Sequence, residues 1–277
     1  KLNIEPARDA IRQLFISRII EAKGLNILQS MTSYKIIPTP FAVLHACELL
    51  SKGTKTQKGR GDLLAVDIGG ATTDVYSMAS GEPTVDNTML KGLPEPWMKR
   101  TVEGDLGMRY SLTHVYEQIP GADNPENEYM QQVKAWVELC TARPDTLAAP
   151  GSEEEKLEEF LGRSAVSMAV ERHCGRIADV FTPLGLMHTQ EGKDLMNVPS
   201  VIGIGGVLRN SRRPEEILKG SLYDFMHPEC TKPRKPKFYL DQKYIFASMG
   251  LLRSINPELA FELLDKETVE IGCNATV

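Results

Sequence analysis

LLAVDIGGATTDVYS, residues 63–77, is the stretch on which the reading of this chain turns. Leu63, Leu64, Ala65 and Val66 are an apolar run of strand length. Asp67 closes the run and Gly69-Gly70 follow at once. The chain then turns back through Thr72, Thr73 and Asp74 into Val75, Tyr76 and Ser77. Two strands joined by a glycine turn predict a β-hairpin. This turn also offers a carboxylate, unobstructed backbone amides and two hydroxyls. Glycine lets a backbone approach an anion closely, and successive N–H groups in a turn form a cradle for one. A Gly-Gly between strands is by itself an ordinary turn, so its meaning depends on the rest of the chain.

Upstream, helical spacing of Ile11, Leu14, Phe15, Ile19 and Ile20 predicts a helix over residues 4–23. YKIIPTP (34–40) is extended, FAVLHACELL (41–50) is an apolar helix, and SKGTKTQKGRG (51–61) is a basic loop. Downstream, residues 84–90 read as a third strand of an antiparallel set. Residues 101–112 open with acids and become helical, and further helices are expected over 124–140 and 153–180. Glu153, Glu154 and Glu155 crowd the first turn of the second, which suits the helix dipole. Residues 182–197, with Pro183, Gly185 and Gly192, read as a connector. In PSVIGIGGVLRNS (199–211) a short strand runs into Gly205-Gly206 and a helix start, a geometry that lets backbone lie against a nucleotide. A strand at 238–240 precedes a helix over 241–253, whose Ala247, Ser248 and Gly250 imply close packing. A last helix covers 255–264.

Composition narrows the function classes. A net charge of −5 over 277 residues gives no global electrostatic case for nucleic acid or membrane as partner. No apolar run approaches the roughly 20 residues that span a bilayer, and no signal peptide is recognisable. Cys47, Cys140, Cys174, Cys230 and Cys273 are odd in number and dispersed, against a disulfide framework or a zinc site. A reducing, cytoplasmic setting is expected. His173-Cys174 is a close pair on a helix and reads as structural.

The order of these stretches carries a resemblance. PTPFAVLHA, DIGGATTD, VIGIGGVLRNS and IFASMGLL are similar, in that order, to the first connecting helix, second phosphate hairpin, adenosine turn and second connecting helix of the actin, sugar kinase and Hsp70 ATPase superfamily. Within it, AVDIGGATTDVYS with GIGGVLRNS resembles the glutamate mutase accessory proteins, the MutL or GlmL family. The resemblance implies an α/β fold: a ribonuclease H-like (actin/Hsp70 ATPase-type) lobe with a mixed sheet and an inserted helical subdomain. The expected division is leading helices with the first connecting helix (1–61), phosphate hairpin and third strand (62–100), a mostly helical insertion (101–198), and adenosine turn with second connecting helix (199–277). No Asp-x-Gly-Ser/Thr hairpin precedes Asp67, and the chain begins Lys-Leu-Asn, so it reads as the C-terminal lobe of a longer protein.

The resemblance implies an ATP-binding reactivating chaperone that helps an adenosylcobalamin-dependent mutase discard damaged cobalamin. The cofactors are ATP and Mg²⁺. The partners are the mutase subunits and the protein's own N-terminal lobe, without which ATP hydrolysis is not expected. Asp67 would orient Mg²⁺ through water, since magnesium keeps its hydration and takes one or two carboxylates. Amides of Gly69, Gly70 and Ala71, with the hydroxyls of Thr72 and Thr73, would hold the β- and γ-phosphates. Gly205 and Gly206 would lie against ribose and α-phosphate, and Arg209 would stack on adenine. Asp74 either braces the hairpin or sits near the metal. Glu103 and Asp105 either reach the ribose or are ordinary helix-start acids. Ala71 stands where many relatives have glycine, and a positive φ there would be strained. A small-molecule kinase of the same superfamily, or a non-catalytic actin-like scaffold, are the rival readings.

Overall fold

The computed structural model describes residues 36–183 and 185–272, together with positions 6, 7, 10, 11, 13, 14 and 18. The expected leading helix over 4–23 falls largely outside the described residues. In chain order, α1 (Thr39–Lys52) leads into β1 (Leu63–Ile68), β2 (Thr73–Met78), β3 (Thr88–Lys91) and β4 (Met98–Glu103). Three helices follow, α2 (Leu112–Glu117), α3 (Glu128–Ala142) and α4 (Glu153–His173), then β5 (Arg176–Thr182) and β6 (Gly185–Glu191). The remainder is β7 (Ser200–Ile204), α5 (Gly206–Asn210), α6 (Pro214–Leu218), β8 (Lys237–Asp241), α7 (Phe246–Leu252), α8 (Pro257–Glu267) and β9 (Thr268–Glu270).

These elements build a mixed α/β fold. The six-stranded sheet runs β4-β2-β1-β7-β8-β9. β4, β2 and β1 form an antiparallel meander, β7 and β8 continue parallel to β1, and β9 closes antiparallel. β1 lies inside the sheet with helices on both faces, which is why its sequence is a near-continuous apolar run. Alternation along the strand feeds two cores. Leu64, Val66 and Ile68 join Val133 and Trp136 of α3 and Leu161 and Ala165 of α4. Leu63 and Ala65 join Leu44, Cys47 and Leu50 of α1, with Phe246 and Phe261. Asp67 therefore shares the α1 and α7 face of the sheet, one step beyond the core.

α1 and α7 touch backbone to backbone. A methyl group placed on Gly250 would meet the Ala42 carbonyl oxygen at 1.8 Å. Pro38 at the N-cap of α1 and a proline in its first turn set the entry of that helix, where a missing N–H costs nothing. α3, α4 and α8 begin at side-chain caps from Asn127, Ser152 and Asn256.

Five local expectations are corrected. The third strand of the meander is β4, whereas residues 88–91 pair with β6 in a separate three-stranded sheet ordered β3-β6-β5. β4 carries Lys99, Arg100 and Glu103 because it is an edge strand, where charge is favoured; the acids Glu103 and Asp105 made 101–112 look like a helix start, whereas the next helix begins only at Leu112. The helix expected over 153–180 ends at His173, and residues 176–182 are strand. The connector expected over 182–197 contains β6, with Gly185 (φ +114) at its first position. The helix expected from 241 starts only at Phe246, because Asp241 accepts the N–H groups of Ile245 at 2.9 Å and Phe246 at 3.1 Å.

His173 proves structural. It is fully buried, with Nδ1 2.8 Å from Thr101 Oγ1 and Nε2 2.8 Å from Ser77 Oγ. Lys193, also buried, donates to Ser77 Oγ at 3.0 Å and the Trp97 carbonyl at 2.7 Å, and burial pushes its ammonium down to about 7. No described helix is long and apolar enough to cross a membrane. The Gly250 contact gives a direct test of the α1–α7 packing. Gly250→Ala is expected to lose about 2–3 kcal/mol through overpacking against backbone that cannot swing aside, read as a lowered urea midpoint with an unchanged slope.

Candidate functional site

The hairpin forms as expected, with Asp67 opposite Asp74 and Ile68 opposite Thr73. What holds its turn comes from residues 104–111. Met108 N–H donates to the Gly69 carbonyl at 3.0 Å, and the N–H groups of Arg109 and Tyr110 both donate to that of Gly70 at 2.8 Å. Ser111 Oγ donates to the Ala71 carbonyl at 2.9 Å, and Thr73 Oγ1, buried, donates to the Leu106 carbonyl. Gly107 is required for this contact, since a methyl there would sit 2.2 Å from the Ala71 carbonyl carbon. With the turn's carbonyls occupied from one side, the N–H groups of Gly70, Ala71 and Thr72 have no acceptor among the described residues. Ala71 is not strained. The described non-glycine residues at positive φ are Asn87 and Tyr244.

The second glycine turn packs on the first. β7 runs beside β1 with Ile204 opposite Asp67. Gly205, at φ +99, is where β7 ends and α5 begins. A methyl at Gly205 would lie 2.5 Å from the Ile68 carbonyl oxygen and 2.7 Å from Asp67 Oδ1, so glycine is obligatory there. Gly70 and Gly206 differ. A methyl at Gly70 would meet nothing nearer than Arg109 Cβ at 3.7 Å, and one at Gly206 nothing nearer than Asn210 Nδ2 at 3.9 Å. The protein's own packing does not require glycine at either position. Both line a cavity of about 690 Å³. Its walls include Met108 and Arg109, the loop residues Leu147, Ala148 and Pro150, the α4 carboxylates Glu155, Glu158 and Glu159, and Arg212.

Charge is arranged unevenly around the turns. The Asp67 carboxylate has no hydrogen-bond or ion-pair partner among the described residues. Burial, with Asp74 and Asp241 adding their charge, pushes its carboxyl up to about 6. Asp74 is tied down instead. Arg100 Nη2 lies 2.6 Å from its Oδ1, and Thr72 Oγ1 donates to Oδ2 at 3.4 Å, which makes it a brace for the hairpin. Among the described residues, no group of three or more carboxylate, imidazole or thiol side chains could cage a metal. A hydrated Mg²⁺ needs only one or two carboxylates, and Asp67, uncommitted and costly to ionise alone, fits one.

The structure brings together Asp67, Gly69, Gly70, Ala71, Thr72, Gly205 and Gly206 from the sequence reading. It commits the Gly69 N–H to the Thr72 carbonyl at 2.9 Å and the Thr73 hydroxyl to the Leu106 carbonyl. Arg209 points elsewhere, its Nε donating to the Gln242 carbonyl at 3.2 Å, while Arg212 lines the cavity. Glu103 and Asp105 are bound by Arg172 at 2.8 and 2.7 Å, and that guanidinium holds Asp105 at about 2. Sequence reasoning missed Arg109, Arg212, Glu155, Glu158 and Asp241. The glutamates had a signal: positions 155, 158 and 159 share one helix face. Arg109 had none.

Asp67 makes a pH-dependent prediction. Its folded pKa lies above the ordinary carboxylate value, so stability is lost as pH rises from about 4 through about 6 and is level above that. Asp67→Asn is therefore expected to be more stable than wild type by about 1–3 kcal/mol at pH 7.5. The two should converge near pH 4, measured as urea unfolding across that range. A difference independent of pH would show that Asp67 ionises normally.

The comparisons with known proteins agree with one another. The family model described as MutL protein matches residues 1–268. Protein MutL of Clostridium tetanomorphum is 45% identical over 273 residues, covering 98% of this chain. The chain spans 59% of that relative's length. On the family match and on this identity along nearly its whole length, the chain belongs to the MutL protein family.

Proposed function

We propose that this chain is the ATP-binding lobe of an accessory protein that restores an adenosylcobalamin-dependent glutamate mutase, or a related mutase, by exchanging damaged cobalamin. The observation that carries the nucleotide part is the pair of glycines without a packing role. Gly70 and Gly206 face one cavity, beside turn amides that lack acceptors. Glycine there is what a phosphate chain and ribose lying on backbone would require.

In this reading Asp67 holds Mg²⁺ through water, which supplies charge neutralisation for the phosphates. The amides of Gly70 and Ala71, with the Thr72 hydroxyl, bind the β- and γ-phosphates. Gly206 lies under the ribose. Arg212, on the cavity wall and without an ion-pair partner among the described residues, is better placed than Arg209 to face the base. Phosphoryl transfer depends chiefly on positioning and electrostatics, so hydrolysis awaits a second clamp from an opposing lobe. The ribonuclease H-like, actin-type identity of the lobe is supported by the antiparallel meander continued by two parallel strands. The crossing of α1 and α7 at Gly250, where the two connecting helices would meet, supports it too. The mutase partner rests on the family membership.

Two measurements test this. Gly70→Ala and Gly206→Ala are expected to leave the melting temperature within about 2 °C. Each is expected to weaken Mg-ATP binding roughly tenfold or more, read by titration calorimetry. In the second, the complete protein is mixed with ATP and a mutase inactivated by cyanocobalamin, and mutase activity should return. Phosphorylation of a sugar or organic acid without recovery would favour the kinase reading, and neither result the scaffold.

A further inference from the structure

Arg109 is tied to the phosphate turn and also spans the cavity. Its backbone N–H donates to the Gly70 carbonyl at 2.8 Å, and its Cβ is the nearest side-chain atom to a methyl built on Gly70. Its guanidinium reaches across to α4, where Nη2 lies 2.6 Å from Glu158 Oε1, while Nη1 donates to the Met108 carbonyl at 2.6 Å. Both partners are partly buried, at 15% and 23% side-chain exposure, so the pair is less screened than a surface bridge. The neighbouring carboxylates are already committed. Glu155 accepts the Gly151 N–H at 2.7 Å, and Glu159 is bound by Arg213. Arg109 and Arg212 are the cations among the described residues lining the cavity, and Arg109 is the one anchored to the glycine turn.

On the nucleotide reading above, we infer that Arg109 is a polyphosphate-binding residue held in reserve by Glu158. A polyphosphate on the amides of Gly70 and Ala71 places negative charge beside a guanidinium whose fork matches phosphate as well as carboxylate. Arg109 then exchanges Glu158 for phosphate. The exchange releases a clasp between the β1–β2 turn and α4, so occupancy of the turn is felt by the helical insertion. Specificity for a phosphorylated ligand over a bare nucleoside resides in this switch.

The test compares the complete protein with Arg109→Gln and Glu158→Gln, titrated with Mg-ATP, adenosine and inorganic tripolyphosphate. Arg109→Gln should weaken Mg-ATP and tripolyphosphate roughly tenfold or more, the worth of a charge-assisted contact, while adenosine stays within about twofold. Glu158→Gln should strengthen tripolyphosphate several-fold with adenosine unchanged. Wild-type affinity for triphosphate in Arg109→Gln overturns the inference. So does equal loss of ATP and adenosine in that variant, or weaker tripolyphosphate binding in Glu158→Gln. Failure of wild type to bind either ATP or adenosine overturns the nucleotide reading itself and the inference with it, and is recognisable because no variant is then needed.

Discussion

Hydrogen bonds onto the carbonyls of Gly69, Gly70 and Ala71 are the constraint on which the site depends. A four-residue turn could face either way. Once residues 108–111 occupy its carbonyls, its N–H groups are left for whatever lies on the other side. Gly107 is part of the same constraint, because any side chain there would collide with the Ala71 backbone. Thr73 adds a buried bond to Leu106 and fixes the first residue of the returning strand. The turn is thus held in place by a segment far along the chain.

The sheet positions that cradle. β1 is buried on both faces, and its alternation sends Leu64, Val66 and Ile68 to α3 and α4 and Leu63 and Ala65 to α1 and α7. The same alternation places Asp67 where neither core claims it. β7, hydrogen-bonded alongside, brings Gly205 against Asp67 and Ile68, which sets the two glycine turns at one end of the sheet. Close helix packing at Gly250 holds the opposite face.

Electrostatics at this end is unsettled in a way that suits binding. Asp67 is raised by burial and by two neighbouring carboxylates, and at neutral pH its ionisation is expected to cost about 1–3 kcal/mol of folding stability. Asp74, directly opposite on β2, is instead paired with Arg100. The same residue type is therefore braced in one place and left without a side-chain partner in the other, divided by a single guanidinium from the edge strand.

How much of this was legible depends on range along the chain. The hairpin, the strand-to-helix turn at Gly205 and the helices α1, α3 and α8 follow from apolar periodicity, glycine and caps, which are local properties. That Asp67, Gly70 and Gly206 belong to one cluster was implied instead by the resemblance in the order of the motifs. The identity of the third strand was not legible, because the charges of β4 make sense only at a sheet edge. Nor were Arg109, Arg212 and Glu158, since residues 109 and 158 meet only when α4 lies across the turn. The shifted carboxyl of Asp67 was equally hidden, because Asp241 reaches it from the far end of the chain. By itself, the sequence determined which backbone segments turn at glycine. Only the tertiary structure decided which groups face those turns, because burial and charge pairing are properties of neighbours that the chain brings together from a distance.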